Sequence, residues 1–125
     1  MFEEAADLQD LAQICFDKFA DVREAADAVI AFIWSEKPKM SKGKVVFADT
    51  TKVEERVRFL SRIDFIITFY RPACADLTGD QMEILMHHEL MHVGFNSEDG
   101  KTKIIPHDIE DFRAILEAHG MDWVH

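Results

Sequence analysis

Two histidines and a glutamate have the residue types and the spacing of a metal-dependent hydrolytic site. His88, Glu89 and His92 form an HExxH pattern within the segment Leu77–Phe95. Residues four apart lie one turn above each other on an α-helix, so the two imidazoles can bind one metal ion. Glu89 lies about 100° further round the helix, where its carboxylate can take a proton from a water molecule on that metal. The pattern predicts metal-assisted hydrolysis with Glu89 as the general base.

The segment that carries this pattern has its own signals for a helix. Thr78 and Gln81 are spaced as a capping box, which satisfies backbone amides at a helix start. Apolar residues follow helical spacing on both flanks of the histidines, which is typical of a nearly buried helix. We therefore predict a central active-site helix that ends near Gly94. The alternative is a helix whose histidines only pack in the core.

A catalytic zinc site has three protein ligands and an open fourth position, so one more ligand is needed. We predict His107, which stands fifteen residues after His92, beyond a polar turn and at the start of a predicted helix. The dipole at a helix start favours the neutral, metal-binding form of the ring. Asp108 and Glu110 are the alternative third ligands, because carboxylates also complete such sites. Asp108 is also a candidate to hold a ligand histidine in place.

The residues before the site predict helices followed by strands. Residues 4–34 follow helical spacing of apolar residues, with a break near Ala20–Asp21. Lys44–Asp49 and Ile63–Tyr70 are rich in β-branched and aromatic residues and are predicted strands. A short helix capped by Thr51 is predicted between them, although Val53, Val57 and Phe59 also fit the period of two of a strand.

The residues after the site predict a hairpin and a last helix. Phe95 and Ile104–Ile105 flank a polar turn with a central Asp-Gly and are expected to pair. Pro106–His119 has a helical apolar stripe, and Pro suits its first turn. We predict an α+β fold with N-terminal helices, a small twisted sheet, the HExxH helix and a C-terminal helix.

Composition and charge limit the partners of this chain. With 125 residues, 48% of them apolar, we expect residues 1–125 to form a single domain. The net charge of −10 disfavours nucleic acid as a partner. A local basic patch is predicted to be a solvated loop; its lysines are Lys37, Lys39, Lys42 and Lys44.

Apolar runs and cysteines bear on the compartment. No apolar run is long enough to span a membrane, and the acidic start MFEEAADL is unlike a secretory signal. We therefore expect a bacterial cytoplasm or that of a phage-infected host, with no membrane partner. Cys15 and Cys74 have no CxxC partner and are predicted to be structural and unpaired.

Three sequence strings, HHELMHVGF, IIPHDIEDF and HGMDW, resemble the phage metallopeptidase family, small zincin domains from bacteriophages and prophages. IDFIITFY and the N-terminal helices fit this family too, so the likeness spans most of the chain. The plan is also similar to SprT-like zincins, whose pattern His107 and Phe112 match with slightly different spacing. The resemblance implies a zinc-dependent peptidase of the minimal zincin fold. It implies one Zn²⁺ per chain, with His88, His92 and His107 as ligands and Glu89 as the base.

We therefore predict hydrolysis of peptide bonds in a peptide or protein substrate. A zincin needs a strand edge to hold an extended substrate, and Ile63–Tyr70 is the predicted one. Tyr70 is predicted to donate to the oxyanion. Two alternatives are a catalytically inactive metal-binding protein and an acidic module that binds phage or host proteins.

Overall fold

The computed structural model describes residues 1–106 of the chain. The helices of this part are α1 (Ala6–Lys18), α2 (Glu55–Ser61), α3 (Arg71–Cys74) and α4 (Gly79–Leu90). Its strands are β1 (Phe2–Glu4), β2 (Ile30–Ser35), β3 (Met40–Ser41), β4 (Lys44–Val45), β5 (Ala48–Lys52), β6 (Phe65–Tyr70), β7 (Val93–Phe95) and β8 (Thr102–Ile104). This mixture of helices and small sheets is compatible with the predicted α+β class. The predicted C-terminal helix, Pro106–His119, lies outside the described residues except for Pro106 itself.

A four-stranded sheet with the order β1-β2-β6-β5 forms the centre of the described fold. β6 runs parallel to β2 and antiparallel to β5, so it has a hydrogen-bonded neighbour on each side. Its side chains Phe65, Ile67 and Phe69 are fully buried. The prediction that Ile63–Tyr70 offers a free strand edge is therefore wrong, because both of its edges are paired. In the described sheet, β5 is the edge strand beside β6.

The predicted helix over residues 4–34 is wrong beyond Lys18. After two 3₁₀ turns, Ile30–Ser35 is strand β2, and all six of its residues pair with β6. The apolar run before Trp34 fits a buried strand as well as a buried helix, so periodicity alone could not decide between them. Pairing with β6 satisfies the backbone groups of this run inside the core.

The predicted strand Lys44–Asp49 is split into two strands. β3 and β4 form a small hairpin whose turn residues, Lys42 and Gly43, have φ values of 54° and 76°. Two left-handed residues are typical of a tight turn that matches the twist of its strands. The Val46 amide donates to the Lys39 carbonyl at 2.9 Å and closes this unit. We call residues 39–46 the basic hairpin; Phe47 separates it from β5.

The short helix and the second hairpin are confirmed. α2 is present, but Glu54 caps it: its carboxylate accepts from the amides of Arg56 and Val57 at 2.9 and 3.1 Å. Thr51, the predicted cap, lies in β5. The predicted pairing after the site is present as β7 against β8.

The core lies between the sheet and two packed helices. Its fully buried side chains include Leu8 and Cys15 of α1, and Leu85 and Met86 of α4. Both cysteines, Cys15 and Cys74, are buried and unpaired, as predicted. Burial raises the pKa of Cys15 to about 11 and that of Cys74 to about 12, which keeps both thiols protonated and unreactive. None of the described helices combines the length and apolarity that crossing a bilayer requires.

Candidate metal centre

Helix α4 carries the HExxH segment and begins where the sequence predicts. The Thr78 hydroxyl accepts from the Gln81 amide at 3.2 Å, and the Gln81 side chain accepts from the Thr78 amide at 2.8 Å. The helix ends at Leu90, earlier than the predicted Gly94. Gly94 lies in β7, where a Cβ atom would stand 2.8 Å from the Lys103 carbonyl oxygen. Close approach of β8, and not helix termination, requires glycine there.

The two motif histidines meet at the end of this helix. His92 lies two residues beyond Leu90, and its amide donates to the Glu89 carbonyl at 3.0 Å in a turn that continues the helix. The Nε2 atoms of His88 and His92 are 3.3 Å apart. Two nitrogen ligands at about 2.0–2.1 Å from a tetrahedral Zn²⁺ are themselves about 3.3–3.4 Å apart. The pair therefore fits two neighbouring positions of a tetrahedral metal site.

The orientation of His92 is fixed by Ile105, the residue after β8. The Nδ1 atom of His92 is 2.8 Å from the Ile105 carbonyl oxygen, and the Ile105 amide donates to the His92 carbonyl at 2.8 Å. A carbonyl oxygen only accepts, so Nδ1 carries the proton and Nε2 of the neutral ring keeps its lone pair. This arrangement is the usual support for a metal-binding histidine. Sequence reasoning missed Ile105, because a backbone contact leaves no signature in side-chain type.

Glu89 is buried beside this pair, and among residues 1–106 Thr50 is its close polar partner. Its side chain is 4% exposed, and the Thr50 hydroxyl donates to its Oε1 at 2.8 Å. The pKa of Glu89 is raised to about 7, mainly by desolvation and to a lesser extent by the charge of Asp49, while the Thr50 hydrogen bond lowers it. A pKa near neutrality suits a group that must both accept and release a proton. Sequence reasoning missed Thr50, whose position depends on the pairing of β5 with β6.

A cavity of about 450 Å³ opens in front of these residues. His88, Glu89 and His92 lie on its wall, and the basic hairpin contributes Lys39 and other residues to the lining. The basic patch was predicted to be a solvated loop. Its four lysines are exposed, as predicted, but Lys39, Lys42 and Lys44 lie on a hairpin that borders the candidate site and not on a loop.

Tyr70 and His87 contact residues other than the motif histidines. The Tyr70 hydroxyl donates to Asp49 Oδ2 at 2.7 Å, and burial raises its pKa, as does the bond to Asp49. Tyr70 is not part of the cavity lining, and its oxyanion role stays a prediction. His87 stacks on Phe19, with ring centroids 3.9 Å apart, and its Nε2 lies 3.0 Å from Asp21 Oδ1. The His87 ring is therefore engaged away from the pair of motif histidines.

The third ligand falls outside the described part of the chain. His107 and its alternatives, Asp108 and Glu110, are all beyond residue 106. Within residues 1–106, no group of three His, Cys, Asp or Glu side chains is placed to hold a metal. His88 and His92 are therefore the two predicted ligands that lie within the described residues, and the whole ligand set, including the third ligand, stays a prediction.

Comparison with known proteins bears on the family of this chain. No curated protein and no solved structure matches it. One family model, described as "Putative phage metallopeptidase", matches residues 1–125, which is the full length of the sequence. The resemblance carried by the HExxH segment and its flanking strings is confirmed by this match. The chain belongs to the phage metallopeptidase family.

Proposed function

We propose that this protein is a zinc-dependent peptidase whose residues 1–125 form one zincin-like domain. Membership of a metallopeptidase family implies a metal cofactor and a peptide or protein substrate. The single observation that carries the proposal is the 3.3 Å separation of the two Nε2 atoms beside the buried Glu89 carboxyl group. Two histidine nitrogens at this distance, a buried carboxyl group and a histidine ring held by a backbone carbonyl are together typical of a hydrolytic metal site.

His88 and His92, with His107 as the proposed third ligand, would hold one zinc ion. When bound, zinc supplies a Lewis acid that polarises a carbonyl group and lowers the pKa of a water molecule. Glu89 accepts the proton of the attacking water at its carboxylate and then gives it to the nitrogen of the leaving amine. Thr50 holds the Glu89 carboxylate through its hydroxyl, so the base does not have to reorient between these two transfers.

Strand β5 is the better candidate for holding the substrate. It supplies Ala48, Asp49 and Thr50 to the cavity lining, and no described strand pairs with its outer edge. An extended peptide can add to such an edge through main-chain hydrogen bonds. The peptide would then run beside Glu89, which β5 already contacts through Thr50.

The experiment combines elemental analysis with cleavage of an unbiased peptide pool. We expect about one zinc per chain and cleavage by the parent, with turnover reduced by roughly 10²–10⁴ in Glu89→Gln while zinc content is kept. Glu83→Gln is the matched control, because Glu83 lies on the same helix but pairs with Lys18 at 3.0 Å. Full zinc without cleavage would indicate a structural metal. A protein that takes up no stoichiometric metal would instead indicate an interaction module.

A further inference from the structure

We propose that Arg58 is a positioning residue for the candidate metal centre and acts on His92 through the β7–β8 hairpin. The inference rests on the proposed peptidase function and names a residue outside the cavity lining that orients one of its proposed ligands. Arg58 lies on α2, and its Nη2 atom donates to the Gly100 carbonyl at 2.5 Å. Gly100 is at the tip of this hairpin, and Ile105, just beyond its other end, contacts His92.

The outer strand of this hairpin has little packing of its own. Within residues 1–106, β7 and β8 pair only with each other and are not part of the four-stranded sheet. Val93 of β7 is buried in the core, whereas Lys103 and Ile104 of β8 are exposed. A two-stranded hairpin is marginally stable by itself in water. The position of β8 therefore depends on the contacts that hold its two ends.

Hydrogen bonds hold both ends of β8. After its last residue, the Ile105 amide donates to the His92 carbonyl, and the Ile105 carbonyl lies against His92 Nδ1, both at 2.8 Å. Before its first residue, the Gly100 amide donates to the Asn96 carbonyl at 2.7 Å and closes the tip. The Gly100 carbonyl accepts from Arg58, which connects the tip to the rest of the molecule.

Arg58 is the better shielded of two side chains that bind the tip from elsewhere in residues 1–106. The other is Asp27, which accepts from the Ser97 hydroxyl at 2.7 Å in an exposed position. The Arg58 side chain is 22% exposed, and its Nε donates to Asp64 Oδ1 at 2.6 Å. Asp64 is buried at the start of β6, and its Oδ2 accepts from the Val29 amide at 2.8 Å. A planar, charged donor group that binds two acceptors fixes their relative position, so Arg58 ties the tip to the sheet.

Loss of this tie affects the His92 ring through β8. With one end released, the Ile105 carbonyl lies against His92 Nδ1 for a smaller fraction of the time. The ring then also adopts the form protonated at Nε2, which cannot bind a metal through that atom. Zinc binds only the fraction of molecules with the competent ring, so its apparent affinity falls. Arg58 thus supports metal binding without contacting the metal.

The test combines zinc affinity, measured by competition with a chelator, with nitrogen NMR of the His92 ring. The NMR measurement uses metal-free protein at alkaline pH, where a histidine ring is neutral, and it reports which nitrogen carries the proton. The first variant is Arg58→Gln. The second is Arg58→Gln/Asp64→Asn, which leaves no buried carboxylate without its partner and serves where the single variant does not fold.

Two controls separate this role from charge and from general stability. Arg56→Gln removes the same charge from α2, where the Arg56 side chain is 90% exposed and pairs with Glu54. Ala12→Gly lowers stability from the buried side of α1, which does not contribute to the hairpin. Thermal unfolding of all variants shows that affinities are compared between folded proteins.

We expect zinc to bind about tenfold more weakly to both Arg58 variants, the lower end of what loss of a ligand's support typically costs. The His92 ring should be protonated at Nδ1 in the parent and the controls, and partly at Nε2 in the Arg58 variants. Unchanged zinc affinity, an unchanged ring, or an equal effect in either control overturns the inference. Zinc binding and Glu89-dependent cleavage by the parent would leave the peptidase function standing in those cases. A parent that takes up no zinc overturns the proposed function, and the ring measurement alone then decides whether Arg58 orients His92.

Discussion

Replacing Thr50 with valine should raise the pKa of Glu89 and leave the fold intact. Valine has nearly the same shape as threonine, suits a β-strand and removes only the hydroxyl that donates to Glu89 Oε1 at 2.8 Å. A hydrogen bond to a charged group contributes roughly 1.5–3 kcal/mol, which corresponds to about 1–2 pKa units. Glu89 is already at a pKa of about 7 through desolvation, so in the variant it should titrate above the neutral range.

The assay is carbon NMR of the glutamate carboxyl groups in metal-free protein, titrated across the neutral range. The Glu89 resonance is assigned by its loss in Glu89→Gln. Thr51→Val is the matched control, since Thr51 is the next residue of β5 and its side chain is exposed. An unchanged Glu89 pKa in Thr50→Val, or an equal shift in Thr51→Val, would refute the role assigned to the Thr50 hydroxyl.

Three further outcomes are expected. His88→Ala should abolish stoichiometric zinc binding in elemental analysis; retention of a full equivalent would place the metal elsewhere. His107→Ala should weaken zinc affinity far more than His87→Ala, because the His87 ring is engaged by Phe19; equal losses would exclude His107 as a ligand. In metal-free protein, the difference in unfolding free energy between the parent and Glu89→Gln should be largest below pH 4.5. It should fall by up to roughly 3 kcal/mol as pH rises to about 7, because the folded-state pKa exceeds the unfolded value of 4.5. Denaturant unfolding at several pH values measures this change, and a pH-independent difference would contradict it.

Some parts of the described fold depend only on residues that are close in sequence. These parts were predictable from the sequence. The capping box of Thr78 and Gln81 places the start of α4, because both hydrogen bonds are formed by residues three apart. Strand β6 and the β7–β8 hairpin are likewise present, because period-two patterns and an Asp-Gly turn act over a few residues.

The errors concern features that depend on distant partners. Ile30–Ser35 is a strand because β6 lies alongside it, 35 residues later in the chain. The edge of the sheet is β5 because β6 is paired twice, which no local pattern reveals. The supports of the site, Thr50 and Ile105, reach Glu89 and His92 only through strand pairing.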